Sequence, residues 1–233
     1  MLKLLKRKTK VEDLVTIEEL KNTNIKLNCT SMNDKKQNRI LFLDDEGYDT
    51  ESLENLGYLD IDKKDKYSKM ADFENYDIIF CDINGIAKEL DEVYQGAALA
   101  KLIKETYPLK IVVIFSAKNQ TFEFNKYNDY VDDIIYKNIS PSEMAEKINK
   151  YIKELTNPVD YWERVKKQLI RQNINVIEIA KLENKFVRSI KQNKDYTSDI
   201  KKIGDSFNSS VAIAVVEGII QIILIYLKAK QGA

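Results

Sequence analysis

The strongest constraint on the fold is a set of short apolar runs that each stop at a residue able to do chemistry. Ile40-Leu41-Phe42-Leu43 ends in Asp44-Asp45-Glu46, and Tyr76-Asp77-Ile78-Ile79-Phe80-Cys81 ends in Asp82. Ile111-Val112-Val113-Ile114-Phe115 ends in Ser116, and Val131-Asp132-Asp133-Ile134-Ile135-Tyr136 ends in Lys137. Runs of this length, rich in β-branched residues, predict strands buried on both faces, as in a parallel sheet. Tyr58–Ile61 is a weaker strand candidate. Helical stretches are expected at Glu51–Leu56, at Ala97–Glu105 ahead of Tyr107-Pro108, and at Pro141–Leu155, where Ser140 is placed as N-cap and Pro141 at the first helical position. Strands alternating with helices predict a doubly wound α/β fold with a five-stranded parallel sheet over residues 39–155.

Asn157-Pro158 repeats the cap-plus-proline signal and opens a C-terminal α-helical unit, 156–233. Tyr161–Gln172 and Ile174–Lys191 have helical spacing, with Tyr161 and Trp162 as packing anchors, followed by a polar break near Asp195–Asp199. Residues 1–38 read as an N-terminal extension, with a helix candidate near 12–22 started by Thr16 and Glu19 at capping-box spacing. Asn28–Asn38 reads as its linker. Charge divides the same way. Residues 1–38 carry nine Lys/Arg and five Asp/Glu, residues 39–155 carry 15 and 24, and residues 156–233 carry 13 and eight. The net charges are +4, −9 and +5, a pattern that favours more than one unit.

The chain has no histidine. That excludes serine–histidine triads, histidine metal sites and an internal phosphohistidine relay. Nucleophilic and metal chemistry therefore falls to carboxylates, hydroxyls, lysines and two cysteines. Cys29 and Cys81 form no CxxC pair, so neither a zinc cluster nor a disulfide framework is indicated, and Cys81 reads as a small buried residue. A reduced cytoplasmic setting is the expectation, because MLKLLKRKTK lacks the apolar stretch of a secretory signal.

In an open α/β sheet, ligands bind beyond the carboxyl ends of the strands. Asp44, Asp45, Asp82, Ser116 and Lys137 should therefore converge on one edge. Clustered carboxylates repel one another unless a cation sits among them, and an all-oxygen set suits Mg²⁺. A lysine adds a compact positive charge for a phosphoryl oxygen.

In this order LFLDDE, DIIFCD, IVVIFSA and DDIIYK resemble the strand-end motifs of bacterial response-regulator receiver (CheY-like) domains, over about residues 39–155. The resemblance implies a phosphorylated signalling protein of a two-component system. Asp44 and Asp45 would hold Mg²⁺, and Asp82 would ligate it and take a phosphoryl group from a sensor histidine kinase or another phosphodonor. Asn84 stands where receivers supply a backbone carbonyl to the metal. Ser116 would hydrogen-bond the phosphoryl group and Lys137 would pair with it. The signal would pass to the helical unit as a change in a protein contact or self-association through 156–233.

Three departures are visible. The segment Ile86–Gln95 lengthens the loop after Asp82, Ile134 occupies the position of the usual switching aromatic, and Asn138 replaces the proline that normally follows the lysine. They motivate a docking module that keeps the fold without the phosphorylation. A haloacid-dehalogenase-type phosphohydrolase is a further alternative, weakened by Asn84 where those enzymes place a second Asp. Enzymatic turnover beyond phosphoryl acceptance and autodephosphorylation is not expected, nor is specific nucleic-acid binding, since no helix-turn-helix is visible.

The apolar terminal segment 209–227 barely reaches membrane-spanning length, and Glu217 near its middle opposes insertion. Three readings stand: a buried helix at an interface, a membrane segment, or a hairpin turning at Glu217-Gly218. Ser210, Ala214, Glu217, Gln221 and Lys228 should form a narrow wet stripe if it is a helix.

Overall fold

The computed structural model describes residues 14–25, 27, 38–91, 93, 95–116, 127 and 129–231. The expected linker over 28–37, the start of the helix candidate at 12–13, Cys29 and the alanine after Ser116 lie outside the described residues. Five strands form one parallel sheet: β1 (Ile40–Leu43), β2 (Ile61–Lys64), β3 (Ile78–Asp82), β4 (Ile111–Ser116) and β5 (Asp133–Tyr136). Their order is β2-β1-β3-β4-β5. Every residue of β1, β3 and β4 is buried, as runs covered on both faces must be. One face packs Leu41, Ile79, Cys81 and Ile114 against α2 (Gln95–Thr106). The other packs Phe42, Phe80, Val113 and Phe115 against α1 (Glu51–Asn55) and α3 (Pro141–Thr156). The expected cap holds: Ser140 Oγ accepts from Glu143 N–H while the Glu143 carboxylate accepts from Ser140 N–H.

The second strand lies three residues later than Tyr58–Ile61. Tyr58 is an anchor instead, fully buried, with its hydroxyl donating to Asn149 Oδ1 at 2.7 Å and 3.0 Å from the Ala145 carbonyl oxygen. The strand itself is Ile61-Asp62-Lys63-Lys64, a charged edge that its sequence hides because apolarity signals burial, not edge pairing. Charges on an outer strand also discourage further strands from adding to it.

The C-terminal unit comprises α4 (Pro158–Arg171), α5 (Val176–Gln192), α6 (Thr197–Gly204) and α7 (Ser210–Gln231). The short α6 occupies part of the expected polar break. Trp162 is fully buried, stacks on Phe186 at 5.4 Å and donates Nε1–H to Glu183 Oε2. The other oxygen of Glu183 accepts from Ile17 N–H at 2.8 Å. This tertiary partner replaces the Thr16 side-chain cap, and the expected helix is reduced to a 3₁₀ turn, Ile17–Leu20. Ile17, Leu20 and Leu27 are buried in the helical core, so these residues of the supposed lead-in are part of the packed structure.

The tail is one continuous helix, which overturns the hairpin reading. Its buried positions, Ala212, Val215, Val216, Ile219, Ile222, Ile223, Tyr226 and Leu227, follow a 3.6-residue period. Gly218 is not a turn residue: a Cβ there would fall 2.3 Å from Leu109 Cδ1, so the α/β unit packs directly on the helix backbone.

Arg164 of α4 locks the two units together. Its Nη1 lies 2.8 Å from Asp132 Oδ1, and Nη2 donates to the carbonyls of Leu109 and Lys110. Lys104 of α2 reaches the other oxygen of Asp132 at 2.7 Å. Burial opposes ionisation of Asp132, but Lys104, Arg164 and the Val112 N–H outweigh it and hold the carboxyl low, at about 2. Arg164→Ala would leave Asp132 paired with Lys104 but remove the side-chain donor to the Leu109 carbonyl, and urea unfolding is expected to show a loss of about 1–3 kcal/mol. Because the native carboxyl titrates below its unfolded value of about 4, its stabilisation is present above pH 4 and disappears as pH falls toward 2. Asp132→Asn should flatten that part of the acid-unfolding curve.

Candidate functional site

Strand register brings the chemistry to one edge. β1 and β3 are neighbours with Leu43 opposite Cys81, so the residues that follow, Asp44 and Asp82, leave the sheet side by side. β4 pairs with β5 with Ser116 opposite Tyr136, and Lys137 N–H donates to the Ser116 carbonyl at 2.7 Å. The point between β1 and β3, where chain direction through the sheet reverses, is where doubly wound folds open a crevice.

Lys137 Nζ lies 2.6 Å from Asp44 Oδ2 and 2.7 Å from Asp82 Oδ2. Its ammonium also sits 5.8 Å above the centre of the Phe115 ring. Both aspartates are buried, at 4% and 3% exposure, whereas Asp45 is exposed. Ligand oxygens of Asp44, Asp45 and Asp82 all lie within 4.8 Å of one another. Asp82 Oδ1 accepts from Ile83 N–H at 2.7 Å, and Asp44 Oδ1 from Glu46 N–H at 3.0 Å. Burial raises the Asp82 carboxyl above its ordinary range; Lys137 pulls it down, and Asp44 adds to the rise. Burial disfavours the Lys137 charge, but the two carboxylates overcome it and raise its pKa.

Three carboxylates against one ammonium leave two negative charges in a small, partly dry volume. An all-oxygen donor set and an excess of two negative charges fit a hard divalent cation such as Mg²⁺.

Ser116 is buried at the end of β4. Asn84 is exposed in the turn after Asp82. Two positions absent from the motif reading shape this turn. Gly85 has φ +78°, and a Cβ on it would overlap the Asp45 carboxylate, 1.7 Å from Oδ2. Its N–H donates to Gln95 Oε1 at 2.7 Å, while Gly96 N–H donates to the Ile83 carbonyl. The lengthened loop is therefore tied at both ends. Asn84-Gly85 marks a turn in the sequence, but the contact with Asp45 crosses 40 residues and has no local signal.

No protein-family model matches the chain, and no curated protein matches it significantly. Among solved structures, a CheY-like response-regulator receiver domain protein from Methanospirillum hungatei JF-1 matches at 23% identity, covering 52% of this chain and 97% of its own, with a TM-score of 0.42. The receiver domain of NtrX from Brucella abortus matches at 21% over 49% of this chain and 98% of its own, TM-score 0.42. A BeF3-activated DrrB receiver domain matches at 20% over 49% and 97%, TM-score 0.38. The strand order found here, 2-1-3-4-5, is that of flavodoxin and CheY. The α/β unit has a doubly wound, flavodoxin/CheY-like fold. In this α/β unit the acidic cluster and Lys137 occupy the carboxyl edge, and the helical unit is locked to the amino edge through Asp132.

Gly85→Ala should push the Asp45 carboxylate out of the cluster without unfolding the sheet. Isothermal titration with Mg²⁺ is expected to show affinity reduced about 10- to 100-fold, the range found when support around metal ligands is lost, with far-ultraviolet circular dichroism unchanged.

Proposed function

We propose that the chain is a response-regulator-like signalling protein in which Asp82 accepts a phosphoryl group. Residues 39–155 would form the receiver unit, and residues 156–233 the output or oligomerisation unit. The observation that carries this reading is Lys137 bridging Asp44 and Asp82 beside Asp45. A nucleophilic carboxylate, an acidic cation pocket and a movable ammonium are the parts that phosphoryl transfer needs, because it relies on positioning and charge neutralisation.

Asp44, Asp45 and Asp82, with the main-chain carbonyl of Asn84, would hold Mg²⁺. The ion, when bound, supplies positive charge to phosphoryl oxygens as negative charge shifts onto them. A carboxylate oxygen of Asp82 attacks phosphorus, the new O–P bond forms as the P–N bond of a donor phosphohistidine breaks, and the imidazole leaves with the bonding pair. Lys137 exchanges its contact with Asp82 for one with a phosphoryl oxygen, and the Ser116 hydroxyl donates to another. The donor is a histidine kinase or a small phosphodonor, since the chain contains no histidine of its own.

Incubation with acetyl phosphate and Mg²⁺ tests this reading. A phosphate-retarding gel is expected to show one shifted species for the wild type, none for Asp82→Asn, and at least a tenfold slower shift for Lys137→Ala, the scale of losing one charge contact in a transition state. An unshifted wild type under these conditions counts against phosphoryl acceptance. A shift that persists in Asp82→Asn counts against Asp82.

A further inference from the structure

Helix α7 is the one described helix long and apolar enough to cross a membrane, and only 44% of that stretch is buried in the molecule. Ile213, Leu224 and Ile225 remain 38%, 42% and 48% exposed. The expected wet stripe is thus wider than its polar residues and includes three large apolar side chains. Alongside it runs a groove of about 810 Å³, walled on one side by Ile213, Glu217, Gln221 and Ile225 and on the other by Tyr107, Pro108 and Leu109.

The charges say what fits there. Glu74, Asp77, Asp205 and Glu217 line the groove against Lys110 and Lys201, and the Lys110 ammonium is already committed to the carbonyls of Glu74 and Tyr76. The groove is therefore apolar and acidic. The last turn of α7 supplies the opposite charge in Lys228 and Lys230. Two α7 helices aligned in parallel would set Glu217 against Glu217 and Lys228 against Lys228. Antiparallel, with a two-fold axis between positions 222 and 223, Glu217 of each copy faces Lys228 of the other. Gln221 then faces Leu224, and Ile225 faces Ile220. A two-fold contact must be self-complementary in this way.

We propose that the open face of α7 is a self-association surface, on which α7 of a second copy lies antiparallel in the acidic groove. The helix is about 33 Å long, long enough for contacts spanning both ends of the groove. The surface lies on the helical unit, away from the carboxyl edge that holds Asp82, so association does not cover the candidate site.

Sedimentation equilibrium of the full chain is expected to give a dimer mass at micromolar concentrations. Glu217→Lys should weaken the dimer about tenfold by setting like charges together, and adding Lys228→Glu to it should restore wild-type affinity. Leu224→Glu should give a monomer with an unchanged circular dichroism spectrum. A wild type that stays monomeric overturns the proposal, as does a double swap no tighter than the single one. A monomeric wild type that pellets with phosphatidylcholine–phosphatidylglycerol vesicles would assign the face to a bilayer instead.

Discussion

Placing Asp44 and Asp82 side by side is the constraint around which the α/β unit is arranged. Two carboxylates that leave adjacent strands at under 5% exposure repel each other in a medium that screens poorly. Lys137 is what makes the arrangement tolerable. It is set one residue beyond β5 and braced by its own N–H on the Ser116 carbonyl, and its ammonium divides its charge between both acids. One ammonium does not neutralise three acids, and the remaining deficit is the electrostatic reason that the edge suits a divalent cation.

The opposite edge of the same strands solves a similar problem differently. Asp132 has two cations, Lys104 and Arg164, and the Val112 N–H, so its charge is compensated without a ligand. Arg164 comes from the helical unit, and its carbonyl contacts at Leu109 and Lys110 join that unit to the start of β4. Leu109 then meets Gly218 of α7. β4 and β5 thus carry candidate site residues at one end and the inter-unit contact at the other, about 20 Å apart along a six-residue strand. The helical unit is thus held rigidly at the amino edge of the sheet.

Much of this was legible in the primary structure because the central strands are continuously apolar and stop abruptly. β1, β3 and β4, the Ser140 and Asn157 caps and the carboxyl-edge positions of Asp44, Asp82, Ser116 and Lys137 all follow from local patterns. Where tertiary contacts compete with local ones, pattern and structure part. Tyr58 has the pattern of a strand residue because an aromatic fits a pleat as well as a pocket. Residues near Thr16 promised a helix, but Glu183 offered a better partner than the side-chain cap. The tail was ambiguous because β-branched apolar residues suit a hairpin, a bilayer and a packed helix alike.

Local pattern alone specifies the central strands, the alternation of strands with helices and the kind of chemistry open to a chain with carboxylates, lysines and no histidine. Period, apolar length and side-chain inventory are local properties, and no folding is needed to read them. Packing in three dimensions sets the rest: Gly85 leaves room for the Asp45 carboxylate, Arg164 seals the two units, and α7 keeps an apolar face open beside an acidic groove. Each of these depends on groups tens of residues apart coming within a few ångströms, and such distances are set by packing, which no sequence window contains.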